Sequence, residues 1–402
     1  MWSRIRLDIG LGDIATGLAR CLSGGDRRTM EARIEHLWAP EGRALVAFSV
    51  RSGLDLALQA LDLPKGSEVL FSALNVKGMI KIVERHGLVP VPVDLELARM
   101  GPDSASLKRA ISPRSRVLVV AHLFGARLDL DQTAALSRRH GLVLIEDCAQ
   151  VFSGIDYRGH PEADISLFSF GPLKTATAIG GALARVSDPV LFGRMRAIQD
   201  AYPVQGSGAY AKRLIKFALL KLVLSRPVFA VLTGVLRLFV EDYEDAVTDA
   251  VRGVAQLGSP KKIRKRPCFA LLAVLERRLR RFDAKDLDRR AAAAQRLDRH
   301  LAPGVTRPGT ANPVHSYWVY PMLADNPKAM IAELRRAGFD GAQQTRSQAV
   351  APPPDRPDLA PVVAAEALTR LIVLPCYPAM PDHEVAREAE IVNARSARQA
   401  AE

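Results

Sequence analysis

The chain has 402 residues, 48% of them apolar and 25% charged, with a formal net charge of +13. That is enough apolar material to bury a large core, and the length suggests about two domains, which excludes a fibre or a disordered tail. Cys21, Cys148, Cys268 and Cys376 stand far apart without CxxC spacing, which excludes a zinc ribbon and a disulfide framework and fits a reducing compartment. Arg4, Arg6 and Asp8 interrupt the first apolar residues, against a secretory signal, so the expected location is the cytoplasm.

Short apolar runs alternate with amphipathic stretches through the first half. Strands are expected at 44–48, 68–71, 89–93, 116–122, 143–146 and 166–170, and helices at 54–61, 79–85 and 131–140. Apolar strands separated by helices of about ten residues mark a mainly parallel sheet covered on both faces, so the fold class is α/β. In such sheets the ligand lies beyond the carboxyl ends of the strands. His122, Asp147 and Lys174 all fall at or just after strand ends.

From 214 to 240 the pattern changes to a nearly continuous apolar stretch punctuated by Lys216, Lys221, Arg226 and Arg237. Its longest charge-free run is 227–236, about half of the roughly twenty residues a spanning helix needs. It reads as a helical insertion packed on a dimer interface or over the mouth of the site. The alternative is an interfacial segment, with cations at the headgroup level and Leu, Val and Phe in lipid. Residues 204–300 hold 21 Lys/Arg against 10 Asp/Glu, an excess of 11 that supplies most of the net charge. Such local charge gathers anions of several kinds. The cluster Lys261-Lys262-Ile263-Arg264-Lys265-Arg266 has no interleaved aromatic residues, so nucleic acid is not an expected partner.

A helix is expected at 268–282, and a linker-like stretch at 303–313 leads into a smaller unit. That unit has a strand at 316–323, a helix at 327–337, a strand at 371–374 and a last helix at 383–392. Tyr317, Trp318 and Tyr320 are expected to pack its first strand. The division is a large α/β domain over 1–290, with a basic and hydrophobic helical insertion at about 204–265, and a small C-terminal α+β domain over 291–402.

Two residues carry the chemistry. Lys174 stands in Ser169-Phe170-Gly171-Pro172-Leu173-Lys174-Thr175, shortly before Gly180-Gly181 and 27 residues after Asp147. A lysine able to form a Schiff base with an aldehyde cofactor, and a carboxylate able to pair with its ring nitrogen, are what pyridoxal phosphate (PLP) asks of a protein. His122 reads as a hydrogen-bonded core residue, and no His/Cys/Asp group has metal-ligand spacing.

The ordered series Arg51-Ser52-Gly53-Leu54, Pro90-Val91-Pro92-Val93-Asp94, His122-Leu123-Phe124-Gly125, Ile145-Glu146-Asp147-Cys148-Ala149-Gln150, Phe168-Ser169-Phe170 and Lys174 with Gly180-Gly181 resembles the DegT/StrS-type aminotransferases. These are fold-type-I PLP enzymes, many of which aminate keto groups on nucleotide-linked sugars. The resemblance is strong over 46–186, weaker after Asp283 and poor across the insertion. It implies a Schiff base on Lys174, which then moves a proton between substrate and cofactor carbons and must be neutral to do so. It implies that Asp147 sits under the ring nitrogen and keeps it protonated, and that Gln150 hydrogen-bonds near the ring oxygen. It further implies that Ser169 places a hydroxyl on the phosphate, and that the backbone N–H groups of Ser52 and Gly53 hold the same phosphate at a helix start. Val76 falls where relatives stack an aromatic ring on the cofactor. Lys262-Ile263-Arg264 falls where relatives carry an Asn-Tyr-Arg run toward the phosphate across the subunit interface.

The resulting expectation is a homodimeric PLP-dependent aminotransferase that moves an amino group from glutamate or glutamine to a keto-sugar or related anionic acceptor, soluble or lipid-linked. A PLP-dependent lyase or dehydratase on the same fold is one rival. Sugar dehydratases of this group carry histidine in place of the lysine, and Lys174 argues against that reading. A non-catalytic, PLP-binding, membrane-associated regulator is the rival from another class. Any membrane contact is expected to be peripheral, at the inner membrane, through 214–240.

Overall fold

Runs such as Ala44-Leu45-Val46-Ala47 and Val117-Leu118-Val119-Val120 have no polar face, so each must be covered on both sides. In the computed structural model, which describes residues 1–4, 6–223, 259–343 and 347–401, they belong to one seven-stranded sheet. Its strands are β1 (Ala44–Ala47), β2 (Glu68–Ser72), β3 (Val89–Val93), β4 (Ser115–Ala121), β5 (Val143–Asp147), β6 (Ile165–Ser169) and β7 (Ala182–Val186), in the order β1-β7-β6-β5-β4-β2-β3. Pairing is parallel from β6 through β3, and β7 lies antiparallel between β6 and β1. β7 escapes the sequence reading because Arg185 interrupts it. That guanidinium turns back onto the carbonyls of Arg158, His160 and Ala163.

Alternate residues of β4 enter opposite layers. Val117 and Val119 pack with Leu54 and Leu58 of a helix, while Leu118 and Val120 pack with Leu107 and Ala134 on the other side. Helix α1 (Leu11–Ser23) precedes the sheet, and α2 (Val50–Leu61) follows β1. α2 begins four residues before the expected start because the Ser49 hydroxyl caps it, accepting the Ser52 N–H at 3.1 Å.

The insertion opens with α3 (Ser207–Val223). Tyr210, Leu214 and Phe217 are buried, one stripe at helical spacing, while Ile215, Leu219 and Leu222 form a second stripe that is exposed. The rest of the apolar stretch lies outside the described residues, among which no helix is long and apolar enough to cross a membrane. The expected helix at 268–282 is α4 (Phe269–Arg280), followed by α5 (Lys285–His300).

The C-terminal unit is built on a second sheet of β8 (Tyr320–Leu323), β9 (Ala342–Gln343) and β10 (Leu371–Leu374), ordered β8-β10-β9 and antiparallel, with α6 (Asp382–Ala401) against it. Its core also takes in Trp2, together with Ala294 and Leu297 of α5, and Trp2–Ser3 pairs with Phe339–Asp340. The division drawn at residue 290 therefore falls inside α5, and the first residues pack with the C-terminal unit. The strand expected at 316–323 shortens to 320–323. Tyr317 takes a left-handed φ of 44°, and Ser316 bonds instead to the Gly125 carbonyl at 2.8 Å.

One group in α6 is unfavourably placed. Glu388 has 0% exposure, and neither carboxyl oxygen has a hydrogen-bond partner among the described residues. Burial pushes its pKa well above the carboxylate range, and Glu384 adds to the effect, so it is held neutral. A raised folded pKa gives stability that is complete below the unfolded value and is lost as pH climbs above it. Glu388→Gln should therefore melt roughly 2–6 °C above the wild type at about pH 8 and lose the advantage toward about pH 4.5. Melting differences independent of pH would contradict this.

Candidate functional site

The loop joining β6 to β7 carries Lys174 in a conformation that its sequence alone disfavours. Ala176 and Ile179 have φ of 52° and 58°, a region that non-glycine residues avoid and β-branched ones avoid most. Such backbone persists only when its surroundings over-determine it, and here they do. The N–H groups of Ala178 and Gly180 both donate to the Phe170 carbonyl, at 3.1 and 2.9 Å. The Thr177 hydroxyl donates to the carbonyls of Phe170 and Gly171 and accepts the Ile179 N–H at 2.9 Å.

Distant side chains complete the hold. The Tyr210 hydroxyl donates to the Ala178 carbonyl at 2.7 Å, and the Asp8 carboxylate accepts the Ala176 N–H at 2.7 Å. Arg290 donates to the Thr175 hydroxyl at 3.0 Å, and the Trp318 indole N–H donates to the Leu173 carbonyl at 2.7 Å. Lys174 Nζ lies 4.0 Å from the centroid of the Trp318 ring.

Asp147 ends β5 at the carboxyl edge of the sheet. Its side chain is buried, and its Oδ1 accepts the Ala149 N–H at 3.0 Å. Burial pushes its pKa up, while that N–H and the Lys174 charge pull it back. Such a carboxyl ionises fully when a cation is brought against it.

Its neighbour Glu146 points to the opposite face and meets a different fate. Its two oxygens accept from His122 Nε2 (2.8 Å), the Tyr157 hydroxyl (2.5 Å), the Ser166 hydroxyl (2.7 Å) and the His160 N–H (2.8 Å). Burial alone would raise its pKa, but the bonds from His122, Tyr157 and Ser166 hold it well below the carboxylate range. His122 Nδ1 accepts the Leu128 N–H at 3.0 Å, so the proton given to Glu146 is on Nε2. His122 is thus the core residue its sequence context suggests. His122, Glu146 and Cys148 bring ligand-type atoms within 4.8 Å of one another, a grouping that sequence spacing does not display. With Glu146 saturated and burial raising the Cys148 pKa, it is an anchor for the sheet edge.

The remaining expected contacts are distributed around this centre. Gln150 Oε1 accepts the Phe124 N–H at 2.7 Å, which leaves its amide nitrogen as a donor. Ser169 Oγ sits 3.4 Å from the Gly171 N–H. Val76 is 40% exposed, beside buried Asn75, whose Nδ2 has no partner among the described residues. The phosphate donors expected at Ser52 and Gly53 are placed differently: both N–H groups bond to Ser49, at 3.1 Å to its hydroxyl and 2.9 Å to its carbonyl. Gly53 is needed for packing, since a β-carbon there would lie 2.9 Å from Leu167. The open end of α2 therefore lies at Val50 and Arg51.

Burial lowers the pKa of Arg51 and of Arg213 from α3, and the two charges repel. Arg213 Nη1 lies 3.9 Å from where a Gly180 β-carbon would be. Arg264, in the run that aligns with the relatives' Asn-Tyr-Arg segment, grips Asp55 of its own chain with two bonds of 2.8 and 3.0 Å.

A cavity of about 450 Å³ opens beside Lys174, with Arg4, Arg6, Lys221, Arg289 and Arg290 on its wall against Asp8 and Asp286. Burial, with help from Arg6, lowers the Lys221 pKa, as expected where cations crowd a partly dry space. Asp8, Arg290 and Trp318 had no local signal in sequence. Trp318 in particular does not pack the small unit's strand but lies half-buried on Lys174. Tyr320 does pack it, buried in the second core.

The sequence pattern of the DegT/DnrJ/EryC1/StrS aminotransferase family matches residues 20–214. The erythromycin biosynthesis sensory transduction protein EryC1 of Saccharopolyspora erythraea is 33% identical over 183 residues, 44% of this chain and 50% of that protein. The chain thus matches about half the length of that curated relative. Among solved structures, the aminotransferase TlmJ from Streptoalloteichus hindustanus superposes with a TM-score of 0.70 at 20% identity over 100% of both chains. S. venezuelae DesV, solved in complex with a ketimine intermediate, gives 0.67 at 22% identity over 95% of this chain and 94% of that one. At these identities the likeness establishes the fold, that of the fold-type-I sugar aminotransferases.

Proposed function

We propose that this chain, which belongs to the DegT/DnrJ/EryC1/StrS aminotransferase family over residues 20–214, is a PLP-dependent aminotransferase. The observation that carries the reading is a lysine on a strained, pinned loop whose charge is felt by a buried carboxyl, Asp147, at the carboxyl edge of the sheet. The donor set fits the cofactor. Asp147 has one oxygen bonded to a backbone N–H, Asn75 Nδ2 is buried without a partner among the described residues, and Gly180, packed close against Leu271, brings the loop near the Arg213 guanidinium.

When bound, PLP supplies the aldehyde that takes the amino group and the ring that accepts the electron pair released at the substrate carbon. Lys174 holds the cofactor covalently and afterwards, as a neutral amine, carries the proton between the two carbons. Asp147 keeps the ring nitrogen protonated, and its ionisation is favoured by that cation in a dry site. Gln150 offers its amide N–H near the ring oxygen, and Val76 supplies apolar cover. Ser169, the N–H groups of Val50 and Arg51, and the guanidinium groups of Arg51 and Arg213 hold the phosphate. Ser52 and Gly53 brace the helix that presents it.

The amino donor is glutamate or glutamine, and the acceptor is an anionic keto-sugar whose charge the cationic cavity receives. A homodimer is the working assembly. The name of EryC1 speaks of sensory transduction and names no reaction, so a binding protein without turnover is the rival that an experiment must exclude.

With PLP bound and no acceptor present, glutamate should convert the cofactor to its amino form and release one equivalent of 2-oxoglutarate. Asp147→Asn should retain the cofactor and slow this conversion by about 10²-fold or more, the scale of removing a placed electrostatic group. A wild-type rate in that variant would place the carboxyl elsewhere. Failure of the wild type with glutamate and glutamine alike would favour the binding protein.

The exposed stripe of Ile215, Leu219 and Leu222, with Lys212 and Lys216 on the same helix, supports peripheral contact with an anionic inner leaflet and a lipid-linked acceptor. Sedimentation with anionic vesicles should carry the protein down at low salt and release it at high salt. Indifference to vesicles at both salt levels would leave a soluble acceptor.

A further inference from the structure

A lysine that alternates between a bonded and a free state needs a place for its ammonium group while it is free. In the loaded protein the Asp147 carboxylate faces the ring nitrogen, so a second host that does not compete for that role is needed. We propose that Trp318 is a positioning residue for Lys174. Its ring receives the lysine ammonium when the released side chain carries a proton, and its indole N–H fixes the backbone on which the lysine stands. The inference rests on the reading of Lys174 as the cofactor-binding residue.

The two contacts are the 4.0 Å approach of Nζ to the ring centroid and the 2.7 Å bond from Nε1 to the Leu173 carbonyl, one residue before the lysine. Tryptophan is suited to both tasks, with the strongest cation-attracting face among side chains and an in-plane donor on its edge. Phenylalanine offers a weaker face and no donor.

The placement of the ring is itself built. A β-carbon on Gly125 would come within 2.6 Å of the Trp318 backbone nitrogen and 2.9 Å of that of Tyr317, so only glycine lets the two segments meet. The Ser316 N–H donates to the Gly125 carbonyl at 2.8 Å, and the Val319 N–H to the Phe124 carbonyl at 3.4 Å. Phe124 is tied in turn to Gln150. Contacts therefore run from Gln150 through Phe124-Gly125 to Trp318 and Lys174. Trp318 also stands two residues before β8, where the chain enters the second sheet.

The first test uses cofactor-free protein. Lys174 is acylated with an amine-reactive reagent and quantified by peptide mass across a pH series. In Trp318→Leu the midpoint of the pH–rate profile should move to lower pH by roughly half a pH unit, because the ammonium form has lost its host. Trp318→Phe should fall between Leu and wild type. Gly125→Ala, which displaces the indole and leaves its chemistry intact, should follow Leu.

A faster rate at every pH with an unmoved midpoint would mean that the ring merely shields the lysine, and it would overturn the proposal. Should the Leu variant not fold, the Phe and Gly125→Ala profiles decide in the same way. In the loaded enzyme, Trp318→Leu should lower kcat for conversion by glutamate with KM unchanged. A higher KM at unchanged kcat would make Trp318 a substrate contact and sink the idea. If wild-type protein does not convert its cofactor, the aminotransferase reading fails, while the acylation profiles still judge the role of Trp318.

Discussion

The site depends on one constraint: the segment from Phe170 to Gly181 is held where its own backbone would not stay. Left-handed φ at Ala176 and Ile179 carries strain on the order of 1–3 kcal/mol at each residue. The compensating bonds arrive from the N-terminal segment (Asp8), α3 (Tyr210), α5 (Arg290) and the approach to β8 (Trp318). Those partners lie in parts of the chain far from the lysine in sequence. Asp8 is itself fixed by Arg278, which bonds both its carbonyl and its carboxylate. The lysine thus reports on the packing of the whole chain, and the fold serves chemistry by making one mobile side chain start from a fixed place.

Two consecutive carboxyls show how the sheet edge divides labour. Period-two alternation sends Glu146 and Asp147 to opposite faces of β5. Glu146 meets four donors and stays ionised without an arginine, while Asp147 meets one N–H and burial raises its pKa. The first is a finished structural anchor for His122, Tyr157 and Ser166. The second has fewer donors and feels the Lys174 charge, an environment in which a further cation completes its ionisation.

Much of this was legible in the sequence, for identifiable reasons. The β4 and β5 runs have no polar face, so their burial followed from composition, and the Lys174–Asp147 spacing lay within one contiguous sheet. β7 was not legible, since the groups that accept hydrogen bonds from Arg185 are backbone carbonyls, which leave no mark in the sequence. α2 starts earlier than its Ser52-Gly53 pair suggests because its cap is Ser49. Asp8, Arg290 and Trp318 were illegible for a different reason. Their contacts with the lysine loop are tertiary, and nothing local distinguishes a tryptophan that packs a strand from one that hosts an ammonium group.

The claim on which the rest turns is that Lys174 is the residue that bonds the cofactor. Borohydride reduction of the PLP-loaded protein, followed by proteolysis and peptide mass analysis, measures this directly. The account predicts one reduced cofactor adduct per chain on the peptide that contains Lys174, and none in Lys174→Ala. An adduct on another lysine, or an undiminished one in that variant, would contradict it.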